Sequence, residues 1–317
     1  MDDFRIPLGT WVKDFTDFLR SELSFIFDGI GWLFRTLYSG VDFVLGTPPF
    51  WVIGIVFVAI AILLKKPFLA LGTAAGVMVV VGVNQWANAM ESLSLVIVAA
   101  FIAIALSIPL GIWAARSNTA SAIMRPVLDF MQTMPAFVYL IPAILLFRVG
   151  EVPGIVATII FAMAPGVRLT ELGIRGVDKE VVEAGQSFGS SPGRILRQIQ
   201  LPLALPSIMA GINQVIMLSL SMVVIAGMVG AGGLGSAVVG ALQSVNVGLG
   251  FEAGLAVVLL AIYLDRITGA LSGSKRKRKR KPSASSSPKT SDDKPTSTEQ
   301  EVAAGTRVPA GMAGSAG

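Results

Sequence analysis

The sequence predicts an all-α integral membrane protein with about seven transmembrane helices and an amphipathic helix at its N-terminal end. Three observations carry this. Apolar residues make up 53% of the 317-residue chain and charged residues only 14%, against about 25% charged in a typical soluble domain. The apolar residues fall in runs near the length of about 20 that crosses a bilayer. The basic residues lie almost wholly on one side of those runs.

In chain order, residues 1–49 read as an extracytoplasmic or interfacial segment. Between 8 and 45, Trp11, Phe15, Phe18, Leu19, Phe25 and Trp32 are interleaved with Lys13, Asp14, Asp17, Arg20 and Asp28, near a helical period with Glu22 as the misfit. A helix of this kind lies in the membrane interface. The segment lacks the basic start, apolar centre and small-residue cleavage site of a signal peptide. Residues 50–272 then form the membrane domain, with candidate spans at 50–64, 67–83, 93–115, 127–147, 152–167, 207–229 and 252–270. Only Lys65-Lys66 separate the first two spans, so they read as a tight turn. Residues 85–91 read as a second interfacial piece. Pro109 and Pro142 fall inside spans, where neighbouring helices can satisfy the freed carbonyls, and read as kinks.

Placing the loop 168–206 in the cytoplasm puts twenty of the 25 basic residues inside and leaves Arg5, Lys13, Arg20, Arg35 and Arg148 outside. This obeys the positive-inside rule. The C-terminus is then cytoplasmic and, with seven spans, the N-terminus lies outside.

Composition also narrows the chemistry. The chain has no cysteine and no histidine. That removes disulfides, thiolate metal sites and the commonest general base and metal ligand. Gly230-Ala231-Gly232-Gly233-Leu234-Gly235 lacks the G-x-x-x-x-G-K-[ST] pattern of a phosphate-binding loop. These glycines read as a turn or a close helix contact. No cofactor is expected on this chain, and it is not expected to be an enzyme.

The polar segment within 168–206 is the most specific part of the sequence. Glu183-Ala184-Gly185 is followed after three residues by Gly189, and nine more lead to Ile199-Gln200-Leu201-Pro202. This resembles the EAA loop of ABC-importer permeases, with Gly185 where the pattern has its second alanine. The local physics agrees. Residues 181–188 can form a short helix that Gly189 ends in the left-handed conformation. Ser191 reads as an N-cap with Pro192 at the first helical position, and the second helix runs to Leu201-Pro202, which is expected to interrupt it. The resemblance implies the type I ABC-importer transmembrane fold and a coupling site made by Glu183, Ala184, Gly185, Gly189, Ile199, Leu201 and Pro202. It implies as partners a cytoplasmic ABC ATPase subunit, which carries the ATP and Mg, an extracytoplasmic solute-binding protein and a second copy of this chain.

A second resemblance narrows the family. Asp129-Phe130-Met131-Gln132-Thr133-Met134-Pro135-Ala136-Phe137-Val138-Tyr139-Leu140 is similar to the D-x-M-Q-T-x-P-x-F-V-Y-L run of glycine betaine/proline permeases. Pro165-Gly166-Val167-Arg168-Leu169-Thr170 and Gly232-Gly233-Leu234-Gly235 extend it. The implied solute is glycine betaine, proline or choline. Methionine and taurine permeases share the coupling loop, so the solute stays open here. A non-ABC secondary transporter or channel with a coincidental loop is the alternative. Gln132, Thr133, Tyr139, Asn213, Ser219 and Ser221 are polar groups within spans and candidate liners of the solute pathway. The competing reading of each is a helix–helix hydrogen bond. Asp129, Glu252 and Asp265 sit near span ends, which argues against a buried proton relay.

Residues 273–317 open with seven adjacent basic residues, 275–281, and continue as a Ser-, Pro-, Thr- and Ala-rich tail that cannot bury a core. A basic run directly after a span anchors the chain to anionic membrane lipid rather than to nucleic acid.

Overall fold

The computed structural model describes residues 7–271, and the expected polybasic tail lies outside them. The described chain is helical nearly throughout. It begins with α1 (Leu8–Glu22) and α2 (Ser24–Gly46), followed by a hairpin of α3 (Phe50–Leu63) and α4 (Pro67–Gly82). The long helix α5 (Trp86–Arg116) leads to α6 (Asn118–Thr133) and α7 (Ala136–Phe147), and then to α8 (Glu151–Arg175). The short helices α9 (Lys179–Ser187) and α10 (Pro192–Ile195) precede a π turn (Leu196–Gln200) that runs into α11 (Leu201–Ser221). The described part ends with α12 (Val223–Gly227), α13 (Gly233–Gln243) and α14 (Val247–Leu271).

Among the described residues four helical stretches are long and apolar enough to cross a membrane: Trp86–Arg116, Glu151–Arg175, Pro192–Gly227 and Val247–Ala270. Counting each sharply bent pair as one span gives six. The expected seven differ from these numbers at two places. The helices α3 and α4 have 14 and 16 residues, short of a straight span of about 20. The expected span 127–147 is broken by a 97° bend between α6 and α7. Met134 there is extended (ψ 136°), because the ring of the following Pro135 disfavours helical geometry in the residue before it. Pro109 and Pro142 remain inside their helices.

Two further boundaries move. The expected interfacial piece 85–91 forms the first two turns of α5, with Ala89 N–H donating to the Gln85 carbonyl (2.9 Å). The aromatic N-terminal segment divides at Leu23. In α1 the side chains of Trp11, Phe15 and Phe18 are exposed. In α2, by contrast, Tyr38 is buried against α5 and Phe34 and Val41 pack beside it. Ser94 Oγ on α5 donates to Asp42 Oδ1 at 3.2 Å.

The centre of the membrane domain is α8 between α5 and α11, joined through Ala99, Ala103, Ile155, Ile159, Ala162 and Val215. Association in lipid relies on close packing rather than on the hydrophobic effect, so small residues mark these contacts. A Cβ at Gly166 would lie 2.5 Å from Ser107 Oγ and 3.0 Å from Val215 Cγ2. That spacing lets α8 approach α5 and α11 at once.

Candidate coupling site and membrane passage

The segment after α8 folds as the sequence leads one to expect, up to its last turn. Asp178 caps α9, its Oδ1 accepting from Glu180 N–H at 3.0 Å. Gly189 has φ +75°, the conformation that lets a helix end at once. Gly189 N–H donates to the Gln186 carbonyl at 2.8 Å and Ser190 N–H to the Gly185 carbonyl at 3.1 Å, satisfying the end of α9. Ser191 occupies the N-cap position of α10 with Pro192 at its first turn, although the serine side chain makes no capping bond.

The expected interruption at Leu201-Pro202 does not occur. The helix widens over Leu196–Gln200 so that Leu201 N–H reaches the Leu196 carbonyl, and it continues unbroken into α11. Proline has no N–H to donate and its ring crowds the preceding turn. A single π turn relieves both problems without ending the helix.

The knob so formed has two sides. Its outer surface carries exposed Glu183, Ala184 and Gly189, together with Phe188, whose ring is 90% exposed. Its inner side holds Gly185 against α10 and the π turn, where a Cβ would meet Ile199 Cδ1 at 2.8 Å. Ile199 is half-buried, and Leu201 packs on the cluster of Ile174, Leu196, Ala204 and Ile208, whereas Pro202 is exposed. A cavity of about 490 Å³ lies between the knob and the ends of α5 and α8, with Arg116, Arg175, Lys179, Glu183, Gln186 and Gln200 on its wall.

Beside this cavity stands a carboxylate that sequence reasoning missed. Glu171 on α8 is 5% exposed. It accepts from Ser121 Oγ at 2.6 Å and pairs with Arg125 at 3.2 Å and Arg175 at 3.1 Å. Arg175 donates on to Asn118 Oδ1 and to the Ala114 carbonyl, both at 2.8 Å. One buried charge thus ties α8 to α6 and, through Arg175, to the end of α5. A second missed carboxylate is Glu91. Its Oε2 accepts from Gly233 N–H at 2.7 Å, and neighbouring Ser92 Oγ accepts from Leu234 N–H at 2.8 Å. These two residues of α5 cap the first turn of α13, where Gly232 and Gly233 have positive φ. No pattern along the chain joins positions 142 residues apart.

The candidate pathway residues do not share one lining. Gln132 and Thr133 are exposed at the end of α6, and Tyr139 Oη donates to the Met131 carbonyl at 2.6 Å across the α6–α7 bend. Asn213 Oδ1 accepts from Thr268 Oγ1 on α14. Ser219 is fully buried and donates to the Val215 carbonyl at 2.8 Å, while exposed Ser221 donates to Met217 at 3.0 Å. The Asp129 and Arg168 side chains, from the two similar runs, form an ion pair between α6 and α8. Among the described residues no group of carboxylates could hold a metal ion.

Residues 107–277, which include the knob and the α8–α11 centre, match the family described as binding-protein-dependent transport system inner membrane component. The chain belongs to that family. This inner membrane component is 44% identical to the glycine betaine transport system permease protein OpuAB of Bacillus subtilis, over 86% of the chain and 97% of the relative. It is 46% identical to the glycine betaine/carnitine transport permease protein GbuB of Listeria monocytogenes, over 84% and 95%. It is 44% identical to the glycine betaine/proline betaine permease ProW of Escherichia coli, over 86% and 77%. In fold it is similar to a chain of the inward-facing MetNI methionine ABC transporter, with a TM-score of 0.53 and 21% identity over 59% of this chain and 93% of that one. The inner membrane component therefore has an ABC-importer permease fold.

Proposed function

We propose that this chain forms the membrane passage of an ATP-driven importer for a quaternary-ammonium compatible solute such as glycine betaine or proline betaine. The observation that carries the reading is the exposed knob of α9, Gly189 and α10, built in one piece with a membrane-crossing helix. In this proposal Glu183, Ala184, Gly185, Gly189, Ile199, Leu201 and Pro202 form or support the surface that an ABC ATPase grips. ATP and Mg belong to that partner, and this chain does no hydrolysis itself. A solute-binding protein delivers the solute from outside. The named relatives, all permeases for betaines or carnitine, favour this solute class over methionine or taurine.

A quaternary ammonium ion keeps its charge at every pH and is held best by aromatic faces. The binding protein supplies that cage, while the permease offers weaker polar contacts. Gln132, Thr133 and Ser221, exposed in this structure, are the better candidates for such contacts. Ser219 would need its helix to move before it met solute. The C-terminus is placed in the cytoplasm, following the basic residues, and the N-terminus outside on a count of seven crossings in which α3 and α4 each cross.

The test is reconstitution of the full chain with a candidate ATPase and binding protein in proteoliposomes, with labelled glycine betaine, proline, choline and methionine. Saturable ATP-dependent uptake of a betaine is expected, with methionine excluded. Uptake without ATP would favour a secondary transporter. Stoichiometry gives a second check. One chain carries one knob, so two ATPases require two copies related by a two-fold axis. Native mass spectrometry of the complex should find two permeases with two ATPases, and an active assembly with one permease overturns the arrangement.

A further inference from the structure

We propose that the crevice between the α3–α4 hairpin, the start of α5 and α14 binds one anionic phospholipid, with its headgroup on Lys65, Lys66 and Arg266. The crevice has a volume of about 720 Å³, and Phe57, Val80, Met90 and Leu260 are among its apolar walls. It follows α4, whose 16 residues span about 24 Å at 1.5 Å per residue, most of the roughly 30 Å hydrocarbon core. Its inner wall is fixed by the Phe57 and Tyr263 rings, with centroids 4.7 Å apart, and by the Tyr263 hydroxyl donating to the Phe57 carbonyl at 3.4 Å.

The charges sit at one end only. Lys65, Lys66 and Arg266 all line the crevice and are exposed, and none pairs with a carboxylate among the described residues. Lys65 has φ +56°, a conformation that glycine would adopt more cheaply. An apolar cleft with three unpaired cations at its mouth calls for an occupant with an anionic head and long apolar tails. The basic run at 275–281 has the wrong sign to neutralise them. A second copy of the chain would have to bring a carboxylate to that end.

Gly72 makes the inference testable. It lines the crevice, and a Cβ placed there meets nothing within 4 Å. A large side chain at 72 would fill the crevice without changing any charge, including that of the basic run. Native mass spectrometry of the full-length chain, released from micelles doped with phosphatidylglycerol or phosphatidylcholine, reads the occupancy. Wild type should retain one phosphatidylglycerol and discriminate against phosphatidylcholine. Lys65→Gln/Lys66→Gln/Arg266→Gln together should weaken retention roughly a hundredfold. Gly72→Phe should abolish it, with thermal unfolding in phosphatidylcholine micelles close to that of wild type. Gly72→Leu serves as a smaller plug where the phenylalanine variant does not fold. Wild-type retention by the plugged variant, or equal retention of both lipids, overturns the proposal. A plugged variant that loses self-association while its lipid content is unchanged also overturns it, and assigns the crevice to a second copy.

Discussion

Gly189→Val is expected to insert into the membrane at normal levels and to lose at least nine-tenths of ATP-driven uptake. The cause is backbone alone. A Cβ at 189 meets no neighbour, but φ is +75°, where a non-glycine residue costs about 1–2 kcal/mol and a β-branched one more. The turn relaxes by re-aiming α9 against α10, so the surface offered to the ATPase rotates. Gly189→Asn, which tolerates this conformation, should retain most of the uptake. Glu183→Lys is an independent second arm. Glu183 shares its cavity with Arg116, Arg175 and Lys179, and reversing its charge there adds repulsion as well as removing an outward acid. Uptake in proteoliposomes holding ATPase and binding protein checks both. Normal rates for Gly189→Val and Glu183→Lys together remove the knob from the coupling role.

Glu171→Ala should give the largest loss of stability among single polar substitutions. Removing one partner of a buried ion pair costs about 3–5 kcal/mol. The Arg125 and Arg175 side chains are 63% and 33% exposed, so both can partly rehydrate, which lowers the figure to about 2–3 kcal/mol. A fall of roughly 5–10 °C in the unfolding midpoint in detergent is expected. Glu171→Gln keeps an acceptor for Ser121 Oγ and should lose about half as much. A midpoint unchanged in Glu171→Ala would show that the arginines hold α6 and α8 without the carboxylate.

What was legible in the sequence was what is local. The knob rests on Gly189 and Pro192, each acting within a few residues of itself, and both do what their chemistry dictates, whereas the cap from Asp178, which starts α9 at Lys179 rather than at 181, went unread. The bend at 134–135 was hidden because the two polar residues before it, Gln132 and Thr133, do not interrupt an apolar stretch of span length. Proline alone did not reveal it, since Pro109, Pro142 and Pro165 stay inside helices. What differs at Pro135 is that its predecessor turns extended, whereas the residues before the other three prolines stay helical. The roles of Glu91 and Glu171 were equally hidden, because their partners come from distant turns of the chain. Read locally, Glu91 belonged to an interfacial piece and Glu171 to a cytoplasmic loop.

The π turn at Leu196–Gln200 has a mechanical consequence. By keeping 192–227 a single stretch of 36 residues, it makes a rod of about 54 Å, against a hydrocarbon layer of about 30 Å. A rod that overhangs its layer by so much works as a lever with its pivot inside the membrane. A sideways push on the short arm at α10 swings the opposite end, near Met222 and Gly227, the other way. Two separate helices joined by a hinge at Leu201-Pro202 would have absorbed that push as bending, and the far end would have stayed still.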